Sequence, residues 1–235
     1  MKVSIGFNRH LEPDWLAQTA SWVANGIIGD ELKSRIDSML SPVFDSQVAK
    51  DKTRNLLFGI WAKLPKRIPG QFQADGARLM MEYSEYHLAF HWGMMLAKYP
   101  FFVFVVSQIG RLTKLNDTFM YSQLEQRVTE NYGDTSTIKR SMQFVVRTLM
   151  NLGVLANPKQ GVYQLQKPIK IDVPNVKAWL VEANVLSEQL SSRSLNVIND
   201  DPVWFPFELS FQAHELTSNQ RLELYHQSSG VVVFL

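Results

Sequence analysis

Few residues in this chain have the type and spacing that catalysis or metal binding requires. His87 and His91 stand four apart with Glu82 and Glu85 close by, a spacing that puts two imidazoles on one face of a helix as a metal-ligand pair needs. No third ligand accompanies them, and Tyr83, Tyr86, Phe90 and Trp92 crowd the same stretch, so the pair reads as core packing. His10, His214 and His226 lie far apart. Asp200 and Asp201 precede Pro202, where a turn places paired acids without catalytic purpose. The chain has no cysteine, which removes thiolate zinc sites, iron–sulfur clusters, disulfides and Cys nucleophiles together. It also has no Gly-rich phosphate loop, no Gly-x-Ser-x-Gly elbow, no His-Glu-x-x-His pair and no spaced set of nuclease carboxylates. The expectation is a protein that is not an enzyme and takes no metal or cofactor.

The basic residues point to a different chemistry. Net charge is only +2 over 235 residues, but residues 50–68 carry six cations against one carboxylate, and residues 100–170 carry nine against four. The last 65 residues reverse the balance, with eight carboxylates against three cations. A local field of this kind attracts a polyanion even where the total charge does not. Within 136–152, Ser136, Arg140, Gln143 and Arg147 recur at helical spacing, opposite an apolar stripe of Ile138, Met142, Val145, Val146, Leu149 and Leu152. A helix with such a face suits the major groove of double-stranded DNA, where Arg, Lys and Gln reach both phosphates and base edges. Lys139 on the same helix, Lys159 and Gln160 just beyond it, and Lys50, Lys52, Arg54, Lys66 and Arg67 upstream complete the candidate DNA-binding set.

The elements that must position these groups follow from periodicity and punctuation. Helices are predicted over Glu12–Asn25, from a cap at Asp30 to Leu40, over Ser46–Ala62 with Val48 inward, and over Ala77–Lys98, the last following a Pro/Gly-bearing loop from Lys63 to Gly76. Pro100 opens another helix to Leu115, and Lys2–Phe7 is a possible strand. Residues 118–165 then read as helix (Tyr121–Tyr132), turn at Gly133, N-cap at Asp134 or Thr135, helix (Ser136–Leu152), strand (Val154–Ala156), turn (Asn157–Gly161) and return strand (Val162–Leu165). This is the grammar of a winged helix-turn-helix. Farther on, Asn175–Leu190 is predicted as an amphipathic helix, Trp204–Phe211 as a buried aromatic run or an exposed docking patch, and Arg221–Gln227 with Val231–Leu235 as a β-hairpin.

The fold class expected is mainly α with a small β component. Three regions are anticipated: a helical bundle over 1–98, the winged helix-turn-helix over 100–168, and a C-terminal helix and β-hairpin segment over 169–235. The longest apolar run, Phe101–Val106, is far short of the ~20 residues a bilayer requires, so no membrane association is expected. No export signal is recognisable, and a cytoplasmic location is the expectation. A homo-oligomer is compatible with the sequence. Two other roles compete with DNA binding: a protein–protein adaptor that docks through the winged helix, and a winged-helix transcriptional repressor.

The string Thr137, Lys139, Arg140, Gln143, Arg147, Leu149, Leu152, Gly153, Val154, Leu155 resembles the C-terminal stretch of BrxA, the small accessory subunit of bacteriophage-exclusion (BREX) systems. Lys52-Thr53-Arg54 opening a helix, and an aromatic pair of helices meeting at Tyr99 and Pro100, are similar to further parts of that family; the likeness covers roughly 12–165. It implies a helical, non-enzymatic protein that binds double-stranded DNA, part of a bacterial anti-phage locus that also encodes a methyltransferase and ATPases. Other subunits of a defence complex would be its partners. By position, the matching cations are Arg54, Lys139, Arg140 and Arg147.

Overall fold

The computed structural model describes residues 5–228 and 230–235. Among the described residues the chain is mainly helical with three small sheets. Its elements run α1 (Pro13–Ala24), α2 (Gly29–Leu40), α3 (Gln47–Trp61), α4 (Gly70–Glu82), α5 (His87–Lys98), α6 (Pro100–Leu112), β1 (Thr118–Met120), α7 (Tyr121–Tyr132), α8 (Ser136–Asn151), β2 (Leu155–Lys159) and β3 (Val162–Leu165). There follow β4 (Ile169–Lys170), α9 (Pro174–Ser187), β5 (Ser192–Ser194), α10 (Leu195–Asn199), β6 (Phe207–Glu208), β7 (Glu223–Gln227) and β8 (Gly230–Phe234).

Helix starts follow local chemistry. Pro sits in the first turn of α1, α6 and α9, where a missing N–H costs nothing. Ser46 caps α3 by accepting from the Ala49 N–H. Asp30 does not cap α2; it lies inside the first turn, paired with Lys33 at 2.8 Å, and favours the helix through the positive end of its dipole. Val48 points to solvent, not inward. The expected loop up to Gly76 is already helical from Gly70, and the single long helix expected over 77–98 is broken at Tyr83 and a 3-10 turn, Ser84–Tyr86. Half of the possible strand at Lys2–Phe7, residues 2–4, lies outside the described residues. At its end Phe7 N–H donates to Ile5 O around Gly6, whose φ of +63° turns the chain and whose bare Cα lets the Tyr99 ring approach.

One apolar core runs through all three sequence regions. At its centre is α9, every residue of which from Val176 to Ser187 is buried, so the expectation of an amphipathic helix with one polar face is corrected. Gly76 on α4 and Gly93 on α5 admit the Trp179 indole; a Cβ on either would come within 2.6 Å or 2.3 Å of it. The Trp179 ring stacks on Phe72 at 4.7 Å and its N–H donates to Phe72 O. Trp204, Phe207 and Phe211 are buried too, so the aromatic run is core. Among the described residues no single helix is long and apolar enough to cross a membrane; α5 and α6 are apolar but meet at 119° around Pro100.

Residues 100–165 form α6, β1, α7, α8, β2 and β3 in that order, with β1, β3 and β2 adjacent in an antiparallel sheet. The three-residue β1, absent from the sequence reading, pairs Phe119 with Tyr163. The hairpin turn is tighter than expected, because β2 runs through to Lys159 with a register shift after Ala156. At the other end of the chain β8 pairs with both β5 and β7.

Candidate nucleic-acid interface

Helix α8 owes its start to Thr135, whose hydroxyl accepts from the Ile138 N–H, after Gly133 at φ +91° has turned the chain out of α7. Ile138, Met142, Val145, Val146 and Leu149 are buried, whereas Ser136, Arg140, Gln143 and Arg147 form an exposed stripe about 16 Å long at 1.5 Å rise per residue. Between these two faces lies a third. Ser141 and Thr148 are buried, Phe144 and Asn151 are half-buried, and the segment Phe7–Glu12 covers them. Leu11 N–H donates to Thr148 Oγ1 at 3.0 Å, while Asn151 Nδ2 donates to Leu11 O and Glu12 Oε1. The Arg9 guanidinium lies 5.7 Å over the Phe144 ring, and the His10 ring sits between Phe144 and Trp15.

This strap closes one side of a cleft of about 270 Å³ lined by Asn8, Arg9, Lys52, Ser136, Thr137, Arg140, Ser141 and Phe144. Lys52 of α3 is thereby brought beside the first turn of α8, joining one member of the 50–68 cluster to the 136–147 stripe. His10 is held below the ordinary histidine range, chiefly by burial, with Arg147 and Arg9 adding to the effect and Glu12 opposing it.

Of the other candidate cations, Lys50, Arg54, Arg67 and Lys139 are engaged by protein groups, whereas Lys66 and Lys159 are exposed. Arg54 points away from Lys52, since two residues along a helix turn the side chain by about 200°. It pairs with Asp37 at 2.8 Å and Asp51 at 3.1 Å. Arg67 donates to Leu186 O at 2.5 Å and Ala97 O at 2.7 Å, capping the ends of α9 and α5. Lys139 pairs with Asp134 at 2.8 Å and Glu125 at 3.3 Å, and these contacts raise its pKa. Lys50 donates to Ser41 Oγ. Lys66 is exposed in the turn before α4, and Lys159 and Gln160 are exposed at the β2–β3 turn, which Asn157 Nδ2 pins through Lys159 O and Val162 O.

The eleven arginines divide sharply. Arg35, Arg54, Arg67, Arg78, Arg127, Arg193 and Arg221 all donate hydrogen bonds to protein groups. Among the described residues Arg9, Arg111, Arg140 and Arg147 have no such partner, and three of these four flank α8. The sequence reading missed Arg9 and Asn8 because the contacts that bring them to α8 span more than 130 residues.

Of the histidine pair, His91 packs into the core and His87 is half-buried. His91 is fully buried on α5 with its ring edge-on to Trp61 at 5.6 Å, and neither ring nitrogen has a hydrogen-bond partner. Burial, with His87 adding to it, lowers its pKa to about 3. The described residues contain no group of three His, Asp or Glu side chains placed to hold a metal ion. Asp201, half of the acidic pair, is buried as the acceptor of Arg193 and Asn184 and as the cap of the turn Pro202–Trp204.

No known family model, curated protein or solved structure matches this chain.

Proposed function

We propose that the protein binds double-stranded DNA through α8 and the β2–β3 turn, with residues 100–168 acting as a winged helix-turn-helix. The observation that carries this reading is the clustering of unpartnered arginines. A fold gains by pairing its guanidinium groups, and seven of eleven arginines here are paired. Arg140 and Arg147, about two turns apart, share the exposed stripe with Gln143 between them and have no carboxylate to neutralise them. Such a stripe exchanges phosphate counterions for fixed cations on contact with a duplex. The helix, strand, helix, helix, strand, strand order and the β1–β3–β2 sheet are consistent with a hairpin wing following the recognition helix. Lys159 and Gln160 at the wing turn would reach the neighbouring backbone.

The resemblance to BrxA supports a more specific role, that of a non-enzymatic accessory component of a bacterial anti-phage system working with other subunits in the cytoplasm. That role rests on the quoted residues alone.

Polarisation titrations of a short fluorescent duplex across salt concentrations test the DNA reading. With about four to six phosphates neutralised, the logarithm of affinity should fall against the logarithm of salt at a slope of roughly −4 to −5. Replacing Arg140 and Arg147 together by Glu should abolish binding at moderate salt and leave the melting temperature nearly unchanged, because neither side chain holds the fold together. Absence of wild-type binding at low salt would sink the reading.

A further inference from the structure

We propose that the cleft between the Asn8–Arg9 strap, Lys52 of α3 and the first turn of α8 seats one phosphate of the duplex backbone, making the N-terminal strap a third element of the interface. The inference rests on the DNA-binding reading above and deepens it. Three cations from three separate chain segments, Arg9, Lys52 and Arg140, converge on this cleft, and no carboxylate lines it. The remaining polar groups are the Asn8 amide and the hydroxyls of Ser136, Thr137 and Ser141, all of which can donate. That lining selects an anion with several acceptor oxygens.

Arg9 supplies an independent observation pointing to a ligand at this cleft. Its Nε is shut off from solvent and has no hydrogen-bond partner, while the guanidinium lies over the Phe144 ring. A desolvated, unsatisfied guanidinium donor costs free energy that a tetrahedral oxyanion would recover. Ser136 and Thr137, the first two residues of α8, line the cleft, and the positive end of a helix dipole favours negative charge beside it. Size narrows the ligand further: about 270 Å³ lies below the ~300–1,000 Å³ of pockets that enclose whole small molecules, so the cleft fits a group on a larger ligand. Arg140 belongs both to the cleft and to the exposed stripe of α8, so a phosphate seated here fixes where the helix enters the groove. The strap is held in place by the bonds from Leu11 to Thr148 and from Asn151 to Leu11 and Glu12, independently of Arg9 itself.

The test uses the full chain and a fluorescent duplex, comparing wild type with Lys52→Ala, Arg9→Ala and the double variant across salt concentrations. If both cations hold a single phosphate, the double variant should bind several-fold more weakly with a slope shallower by about 0.9, and the two single losses should sum to more than the double loss. Arg9→Lys should recover part of the affinity. An unchanged slope in the double variant overturns the inference, as does a slope shallower by about 1.8, which assigns the cations to separate phosphates. Because the chain has no cysteine, Asn8→Cys carries a unique thiol. Excess duplex should slow its reaction with a maleimide, and equal rates with and without duplex would also overturn the seat. Loss of binding in the Arg140/Arg147 double Glu variant alongside unaffected Arg9 and Lys52 variants would leave the DNA reading standing without this site. Wild-type protein that binds no duplex removes both.

Discussion

Helices α8 and α9 both carry charged and amide side chains, and the fold treats them in opposite ways. On α9, Lys177 pairs with Glu215 at 2.8 Å, Glu182 accepts from Arg221 at 2.7 Å and from Asn219 at 2.6 Å, and Asn184 donates to Asp201 at 3.0 Å and accepts from Arg193. Each bond ties the central helix to a different part of residues 193–221. These groups register the C-terminal region on the core, and leaving any one unpaired would strand a buried charge or amide. All three cations of the acidic C-terminal region are consumed in this way. On α8, Arg140 and Arg147 remain in solvent with no such duty. The difference teaches how to sort charge by role: a cation whose counter-ion is internal belongs to the fold, and one left open beside others of its sign is available to an external polyanion.

His91 is the sharpest exception to the pairing rule, and it carries the largest expected effect. Its folded pKa of about 3 lies below the ordinary value of 6.5, so the unfolded chain takes up a proton that the folded core refuses. This contribution to stability is complete above pH 6.5 and is lost as pH falls from 6.5 toward 3, on the order of 1 kcal/mol per pH unit. Thermal melts from pH 7 to pH 4 should show a shallower acid decline for His91→Leu than for wild type. Parallel declines would mean that His91 is not the neutral buried group described here.

Next in size is the α9 network. Arg221→Ala leaves the Glu182 carboxylate buried opposite Asn219 alone, and removing one partner of a buried pair costs about 3–5 kcal/mol. For a chain of this length that is a fall of about 10 °C in melting temperature. Adding Glu182→Gln should restore part of the loss, because the stranded charge is then gone. Duplex affinity measured well below the melting transition should be unchanged in Arg221→Ala; a loss comparable to that of the Arg140/Arg147 variant would collapse the distinction between the two helices.

The smallest expected effect is the most discriminating within α8 itself. Lys139 stands next to Arg140 in sequence but pairs with Asp134 and Glu125. Lys139→Ala should therefore leave both melting temperature and duplex affinity close to wild type, whereas Arg140→Ala should weaken binding. Equal losses from the two would show that proximity in sequence, not pairing, decides which cations meet DNA.

Much of the local architecture was legible in the residues. The limits of α7 and α8, the turn at Gly133, the Thr135 cap and the C-terminal hairpin all rest on contacts a few residues apart, and the periodicity of α8 separated its buried stripe from its exposed one correctly. The misreadings came where neighbours distant in sequence decide. Tyr83–Tyr86 breaks what its periodicity presents as one helix. The apolar positions of α9 suggested an amphipathic helix, but Lys177, Glu182 and Asn184 are buried against Glu215, Arg221 and Asp201. Arg54 and Arg67 looked like DNA-binding cations until Asp37 and two helix-end carbonyls claimed them.

By itself, then, the sequence determined the mainly helical class, the order of elements from Tyr121 to Leu165 and the cationic stripe of α8, since these follow from spacing, capping and turn chemistry within one or two turns of chain. Which cations remain open was decided only by tertiary structure. A guanidinium is neutralised by whatever carboxylate or carbonyl folding brings within about 3 Å, and a one-dimensional string does not hold that distance. The same holds for Arg9, which lies beside α8 only because Leu11 and Asn151 lash the N-terminal strap across that helix.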